Sequence, residues 1–276
     1  MPHPNDMSKW DEIRCRRPNH THHRRLVIVE PASPHKYRDL PQVPVGLSWG
    51  PFRMWIWDPD HHPVDGGPPC PAHDAVSETI VSHGIWEPQE TILTLHSLRE
   101  PSEGIVVDMG CQIGWFSLLA ASCGRHVLAM DAEQENLDLL RLSARENMWG
   151  PLIQPRQVRI GPDTPSLGLG RQVRLAKLDL EGAEPDGLRI LWPAIQAGLV
   201  DRLLIEVSPV FHDGYGDVVC DLIQAGYRAY MLPPKSRPPV PMGSPDTDLV
   251  PYELSGLGVR DFIDDLHQAN IWFCRG

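Results

Sequence analysis

Asp108-Met109-Gly110-Cys111-Gln112-Ile113-Gly114 joins a short apolar run, residues 104–108, to a helical stretch that opens near Gly114. The loop combines an acid with two glycines. Gly110 and Gly114 let the backbone approach a ligand closely and turn sharply into the helix. Asp108, at the carboxyl end of the run, is placed to accept a hydrogen bond from a cationic or polar ligand edge. The spacing is D-x-G-x-x-x-G, not the G-x-G-x-x-G that suits a pyrophosphate, so the ligand is expected to show the loop positive charge. Asp131 stands 23 residues beyond Asp108, at the end of the next apolar run. Rossmann-like folds place an acid there to hold two ribose hydroxyls.

A second acidic group lies in Lys177-Leu178-Asp179-Leu180-Glu181-Gly182-Ala183-Glu184, and Glu206 ends the run Leu204-Ile205-Glu206-Val207. Acids at the carboxyl edge of a sheet face the crevice where ligands bind in open α/β folds. Asp179 or Glu181 is expected to take a proton from an acceptor or to position it, with His212 of Val210-Phe211-His212-Asp213 a further candidate. Glu206 is expected to contact the acceptor. Glu184 has a second reading, because the first turn of a helix favours acids through its dipole.

These residues need strands that end together. Residues 104–108 are a β-branched apolar run of the kind found in buried parallel strands. Further strands are predicted at 126–130, 157–160, 173–178, 202–207, 228–232 and 271–274. Helices are predicted over 88–98, 114–122, a stretch ending near Asn147, 185–197, a stretch to about Ala225 with Gly226 as its stop, and 259–267. Strands alternating with helices predict an α/β fold with a doubly wound, mostly parallel, seven-stranded Rossmann-like sheet. Residues 86–276 are expected to form this domain. Residues 1–85, dense in Pro, His and Trp, read as a loop-rich extension or small cap, with short strands at 25–30 and 53–57. Residues 233–251 read as a Pro-rich loop.

The chain has 276 residues, 41% of them hydrophobic, enough to bury one sizeable core. The formal charge of −11 supplies no global positive field for a phosphate backbone, so no nucleic-acid partner is expected. Arg14, Arg16, Arg17, Arg24 and Arg25 read as a solvated segment. No apolar run is long enough for a membrane span and the N-terminus lacks a secretory pattern, so a cytoplasmic protein without a membrane partner is expected. The six cysteines form no C-x-x-C pair and read as reduced thiols, most of them buried. The histidines of His20-Thr21-His22-His23 and Asp60-His61-His62 have no partner cluster in sequence, and no functional metal is expected. Oligomeric state is not encoded in any visible pattern.

Residues 108–117 resemble the cofactor loop of the FkbM family of S-adenosylmethionine-dependent methyltransferases. Residues 177–184 are similar to that family's Lys-x-Asp-x-Glu-Gly-x-Glu motif, Leu204 to Val207 to its acid-bearing strand, and Gly226-Tyr227 to its Gly-Tyr. The likeness covers about residues 85–232, with a weaker echo in Asn270 to Phe273. It implies the class I methyltransferase plan, in which the last strand inserts antiparallel. It also implies S-adenosylmethionine as cofactor and methyl transfer to a hydroxyl oxygen of a small-molecule acceptor such as a sugar. Asp108, Gly110 and Gly114 would then shape the cofactor pocket, Asp131 would hold the ribose, and Asp163 the adenine amino group. Cys111-Gln112 stands where the family has Ala-Asn, and Met130-Asp131-Ala132 where it has Phe-Glu-Pro. Gln112 would replace Asn at longer reach.

Two other readings come from the same residues. A protein that keeps the fold and binds S-adenosylmethionine without catalysis is the alternative left open by Cys111-Gln112. A nicotinamide oxidoreductase is disfavoured by the glycine spacing. An amino-methylating enzyme would carry Pro-Pro-aromatic where Asp179-Leu180-Glu181-Gly182 stands.

Overall fold

The computed structural model describes residues 24–29, 51–57, 74–211, 213–232, 252–255 and 258–275. Strands β1 (Arg24–Val29) and β2 (Phe52–Trp57) precede helices α1 (Ala75–His83) and α2 (Pro88–Arg99). Then follow β3 (Ile105–Met109), α3 (Trp115–Ser122), β4 (Val127–Asp131), α4 (Gln134–Glu146), β5 (Ile153–Gln157), β6 (Val173–Leu178) and α5 (Glu184–Gln196). The chain continues through β7 (Arg202–Val207), α6 (Tyr215–Gln224), β8 (Tyr227–Met231), β9 (Tyr252–Leu254), α7 (Val259–Asp264) and β10 (Ala269–Arg275).

The main sheet has the order β5-β4-β3-β6-β7-β10-β8-β9. Its core is parallel from β5 to β7, and β10 inserts antiparallel between β7 and β8. This is the doubly wound, mostly parallel, Rossmann-like sheet expected from the sequence, with β9 added antiparallel to β8 as an eighth strand at the edge. β9 follows directly on the segment read as a Pro-rich loop; with only three residues it is too short for a period-two pattern to register.

Side chains alternate between two cores, as the pleat requires. Val106, Leu175, Leu204 and Trp272 face α2, α3 and α4, while Ile105, Val107, Ala176, Leu203, Ile205 and Phe273 face α5, α6 and α7. β5 lies several residues earlier than the 157–160 expected. Pro155 sits inside it, paired with Ala129. Proline cannot donate to a ladder, but β5 is an edge strand and needs partners on one side alone.

β1 and β2 pair antiparallel, apart from the main sheet. β2 lies on α4: the Arg53 and Trp55 backbone N–H groups donate to Asn147 Oδ1 and Ser143 Oγ, both at 2.8 Å. Phe52, Met54, Trp55, Ile56 and Trp57 are buried in the same core as α3 and α4. Among the described residues, no helix is long and apolar enough to cross a membrane. The four described cysteines are free; Cys111 is buried and Cys123, Cys220 and Cys274 are half-buried, so fewer are buried than expected.

Candidate functional site

Connections leave β3 toward β4 and β6 toward β7 in opposite directions across the sheet. The crevice between β3 and β6 is therefore the switch point at which ligands bind in such folds. Asp108 on β3 is the register partner of Lys177 on β6, and Glu206 on β7 that of Asn270 on β10. By the period of two, all four side chains belong to the α2–α3 face, and all are buried. Helix α2 covers this polar row with two buried acids. Glu90 accepts a hydrogen bond from the Asn270 side chain at 2.5 Å, and Glu87 lies 4.0 Å from the Lys177 ammonium.

Lys177 is the centre of the row. Its Nζ donates to Asp179 Oδ2 at 2.7 Å and lies 4.7 Å from the centre of the Phe116 ring. Burial alone would drive the proton off; Asp179, Glu87 and Asp108 outweigh it and hold the pKa above its ordinary value. Carboxylate oxygens of Glu87, Asp179 and Glu206 come within 4.8 Å of one another. That geometry would also suit a cation, and the Lys177 ammonium already supplies one there.

Asp108 is enclosed. Its Oδ2 accepts the Ser117 hydroxyl at 2.6 Å, while Oδ1 is buried with no hydrogen-bond partner among the described residues. Burial pushes its pKa up to about 6, against the pull of Lys177 and Ser117. The Cys111 thiol is buried too, and burial beside Asp108 and Asp131 raises its pKa well above the ordinary value. It is no nucleophile at neutral pH.

The loop after β3 takes the left-handed conformation at Gly110, Gln112 and Gly114. At Gly114 a side chain would collide with Leu140 of α4. The Gln112 backbone N–H donates to Asp131 Oδ2 at 2.8 Å, and Asp131 Oδ1 accepts the Glu133 N–H at 2.8 Å. The acid at the end of β4 thus anchors the glycine loop. Its Oδ2, which accepts only the Gln112 N–H among the described residues, keeps a second lone pair for a ligand.

The loop after β6 is held by Glu184, which is fully buried. Its carboxylate accepts the Leu180 N–H at 2.5 Å, the Gly182 N–H at 3.1 Å and the Tyr215 hydroxyl. Burial, and then Glu184 itself, raise the Tyr215 pKa, so the phenol stays a donor. Glu184 therefore shapes the loop rather than facing a ligand. Asp179 is half-buried at the crevice, and Glu181 is exposed with φ +51°. Asp163 is exposed in the turn after β5, a turn braced by Arg189 through Gly161 O at 2.8 Å and Thr164 O at 3.1 Å. His212 lies outside the described residues.

The structure thus brings Asp108, Gly110, Gln112, Gly114 and Asp131 together at one loop, and Asp179 and Glu206 together beside it. Glu87, Glu90 and Asn270 are additions that sequence reasoning missed. The period of two that marks Glu206 also marks Asn270 once the register of β10 is known. Glu87, the N-cap of α2, and Glu90 lie one turn apart, and nothing in the local sequence marks either as facing a site.

No family model matches this sequence, and no curated protein matches it. Among solved structures, the chain is similar to the METTL16 methyltransferase domain, with 10% identity, a TM-score of 0.43, and coverage of 66% of this chain and 64% of that one. It is similar to WbdD at 19% identity and a TM-score of 0.45, covering 72% and 43%. A third likeness is to magnesium protoporphyrin IX methyltransferase from Synechocystis PCC 6803 with bound SAM, at 16% identity and a TM-score of 0.42, covering 68% and 77%. The chain spans less than two thirds of the length of the first two.

Proposed function

We propose that the chain is an S-adenosylmethionine-dependent methyltransferase that acts on a hydroxyl oxygen of a small molecule or sugar. The observation that carries this is Asp108 Oδ1, a buried acceptor without a hydrogen-bond partner among the described residues, beside a glycine loop at the switch point of the sheet. An α-ammonium donor fits such an acceptor, since a buried carboxylate gains most from a charged hydrogen bond. Asp131 would hold the ribose hydroxyls, Asp163 the adenine amino group, and Gly110, Gln112 and Gly114 the backbone contour of the pocket. When bound, S-adenosylmethionine supplies a methyl group on a sulfonium that is already a good leaving group.

The chain's own work is then alignment and proton handling. Asp179, fixed by Lys177 at 2.7 Å, would orient the acceptor hydroxyl or receive its proton. Glu181 and His212 are the further candidates for that proton, and Glu206 would contact the acceptor. The FkbM-like residues 177–184 support oxygen as the acceptor atom. Residues 1–85 would cap the 86–276 domain.

The test is incubation with methyl-labelled S-adenosylmethionine and a panel of sugars and other hydroxylated small molecules, reading S-adenosylhomocysteine. Label in a hydroxyl ether, abolished by Asp179→Asn with cofactor affinity retained, supports the reading. Tight cofactor binding with no turnover across the panel would favour the non-catalytic alternative.

A further inference from the structure

Asp74 is the N-cap of α1: its Oδ2 accepts the Ser77 backbone N–H at 2.9 Å and the Ser77 hydroxyl. Its other oxygen does something that a helix cap does not require. Asp74 Oδ1 accepts the Gln112 side-chain amide at 2.6 Å, joining α1 to the glycine loop. Gln112 Oε1 accepts the Ile113 N–H at 2.6 Å, and the Gln112 backbone N–H reaches Asp131.

The connections close into a ring. The Ser77 hydroxyl accepts the Trp57 backbone N–H at 3.1 Å. Trp57 Nε1–H donates to Asn136 Oδ1, and Asn136 Nδ2–H to Asp131 Oδ1, both at 3.4 Å. Asp131, Gln112, Asp74, Ser77, Trp57 and Asn136 thus link β4, the glycine loop, α1, β2 and α4. Gln112 itself sits at φ +48°, a left-handed conformation that disfavours non-glycine residues and persists where surroundings enforce it. An asparagine, one methylene shorter, would reach less far toward Asp74.

We propose that Asp74 is a positioning residue of the cofactor pocket, which acts through Gln112 to fix the glycine loop and makes α1 and β2 part of the pocket wall. This rests on the reading of S-adenosylmethionine as the cofactor. A ligand that hydrogen-bonds the loop binds best when the loop is already held in its bound shape.

Asp74→Asn separates the two duties of the side chain. Asparagine caps a helix about as well as aspartate. Its single oxygen cannot also accept from Gln112, so the cap survives and the bridge is lost. The ligand-free variant is expected to melt within about 2 °C of wild type, while its Kd for S-adenosylmethionine rises roughly tenfold. Gln112→Ala should weaken binding similarly, and the double variant should be no worse than Gln112→Ala alone. Wild-type affinity in Asp74→Asn, or losses that simply add, would overturn the inference. Hydrogen exchange on the unaltered chain gives a check free of folding defects: S-adenosylmethionine should slow amide exchange in residues 75–83, and unchanged exchange there would also overturn it. Failure of the unaltered chain to bind would defeat the cofactor reading itself.

Discussion

Gly110 packs against the carbonyl oxygen of Asp179, so the ends of β3 and β6 meet backbone to backbone. The Asp179 N–H donates to Met109 O at 3.0 Å in the same contact. A Cβ at Gly110 would overlap that oxygen, at a φ of +78° that already disfavours any side chain. Gly110→Ala is therefore expected to cost about 2–4 kcal/mol of stability and to abolish cofactor binding. Gly124, at φ +73° with open space around it, isolates the backbone part: Gly124→Ala should cost only about 1 kcal/mol. Denaturant titration of both variants checks the difference.

Asp108 carries its charge at the expense of the ligand-free fold. Its pKa is about 6 in the folded protein against an ordinary 3.8. The folded chain thus binds the proton more tightly than the unfolded chain, so stability falls as pH rises through that window, and the cost is complete above it. Asp108→Asn should stabilise the ligand-free protein at pH 7 by about 1–3 kcal/mol while cofactor binding is lost. A lower melting temperature in this variant would contradict the account of the buried charge.

The same carboxylate sets a pH profile for binding. An ammonium ligand needs Asp108 ionised, so affinity should fall by up to about tenfold per pH unit below pH 6. An α-ammonium itself titrates near about pH 8, which gives a second, alkaline limb. Calorimetry across pH 5 to about 9 should therefore show a bell-shaped affinity. A profile flat through pH 6 would detach Asp108 from the ligand.

Glu184 is expected to behave as a structural residue. Glu184→Gln replaces one acceptor oxygen with a donor facing backbone N–H groups and Tyr215, and should cost about 2–3 kcal/mol. Tyr215→Phe removes one donor from Glu184 and should cost about 1–2 kcal/mol. Stability measured by chemical denaturation decides; an unchanged Glu184→Gln would return this acid to the list of ligand-facing candidates.

The strands that carry the site were legible because they are short, β-branched and bounded by turns, and their ends coincide with acids. The expected limits of β6 and β7 coincide with the observed ones. β5 was misplaced because Pro155 looks like a strand breaker until the strand is known to lie at an edge. Helix α1 is not among the elements expected from sequence because its weak apolar stripe follows a loop-rich segment, although Asp74 with Glu78 supplies an N-terminal signal. The Glu184 clamp is half legible: its place in the first turn is expected from sequence, whereas its bond to Tyr215 depends on a contact 31 residues away. The α2 acids over Lys177 were not legible at all, since nothing local brings a helix over one face of a sheet.

The most direct test of the central claim is calorimetric titration of the purified protein with S-adenosylmethionine and, separately, with NADH. S-adenosylmethionine should bind, with binding lost in Asp108→Ala and Asp131→Ala, and NADH should give no heat. Binding of NADH, or no binding of S-adenosylmethionine, would contradict that claim.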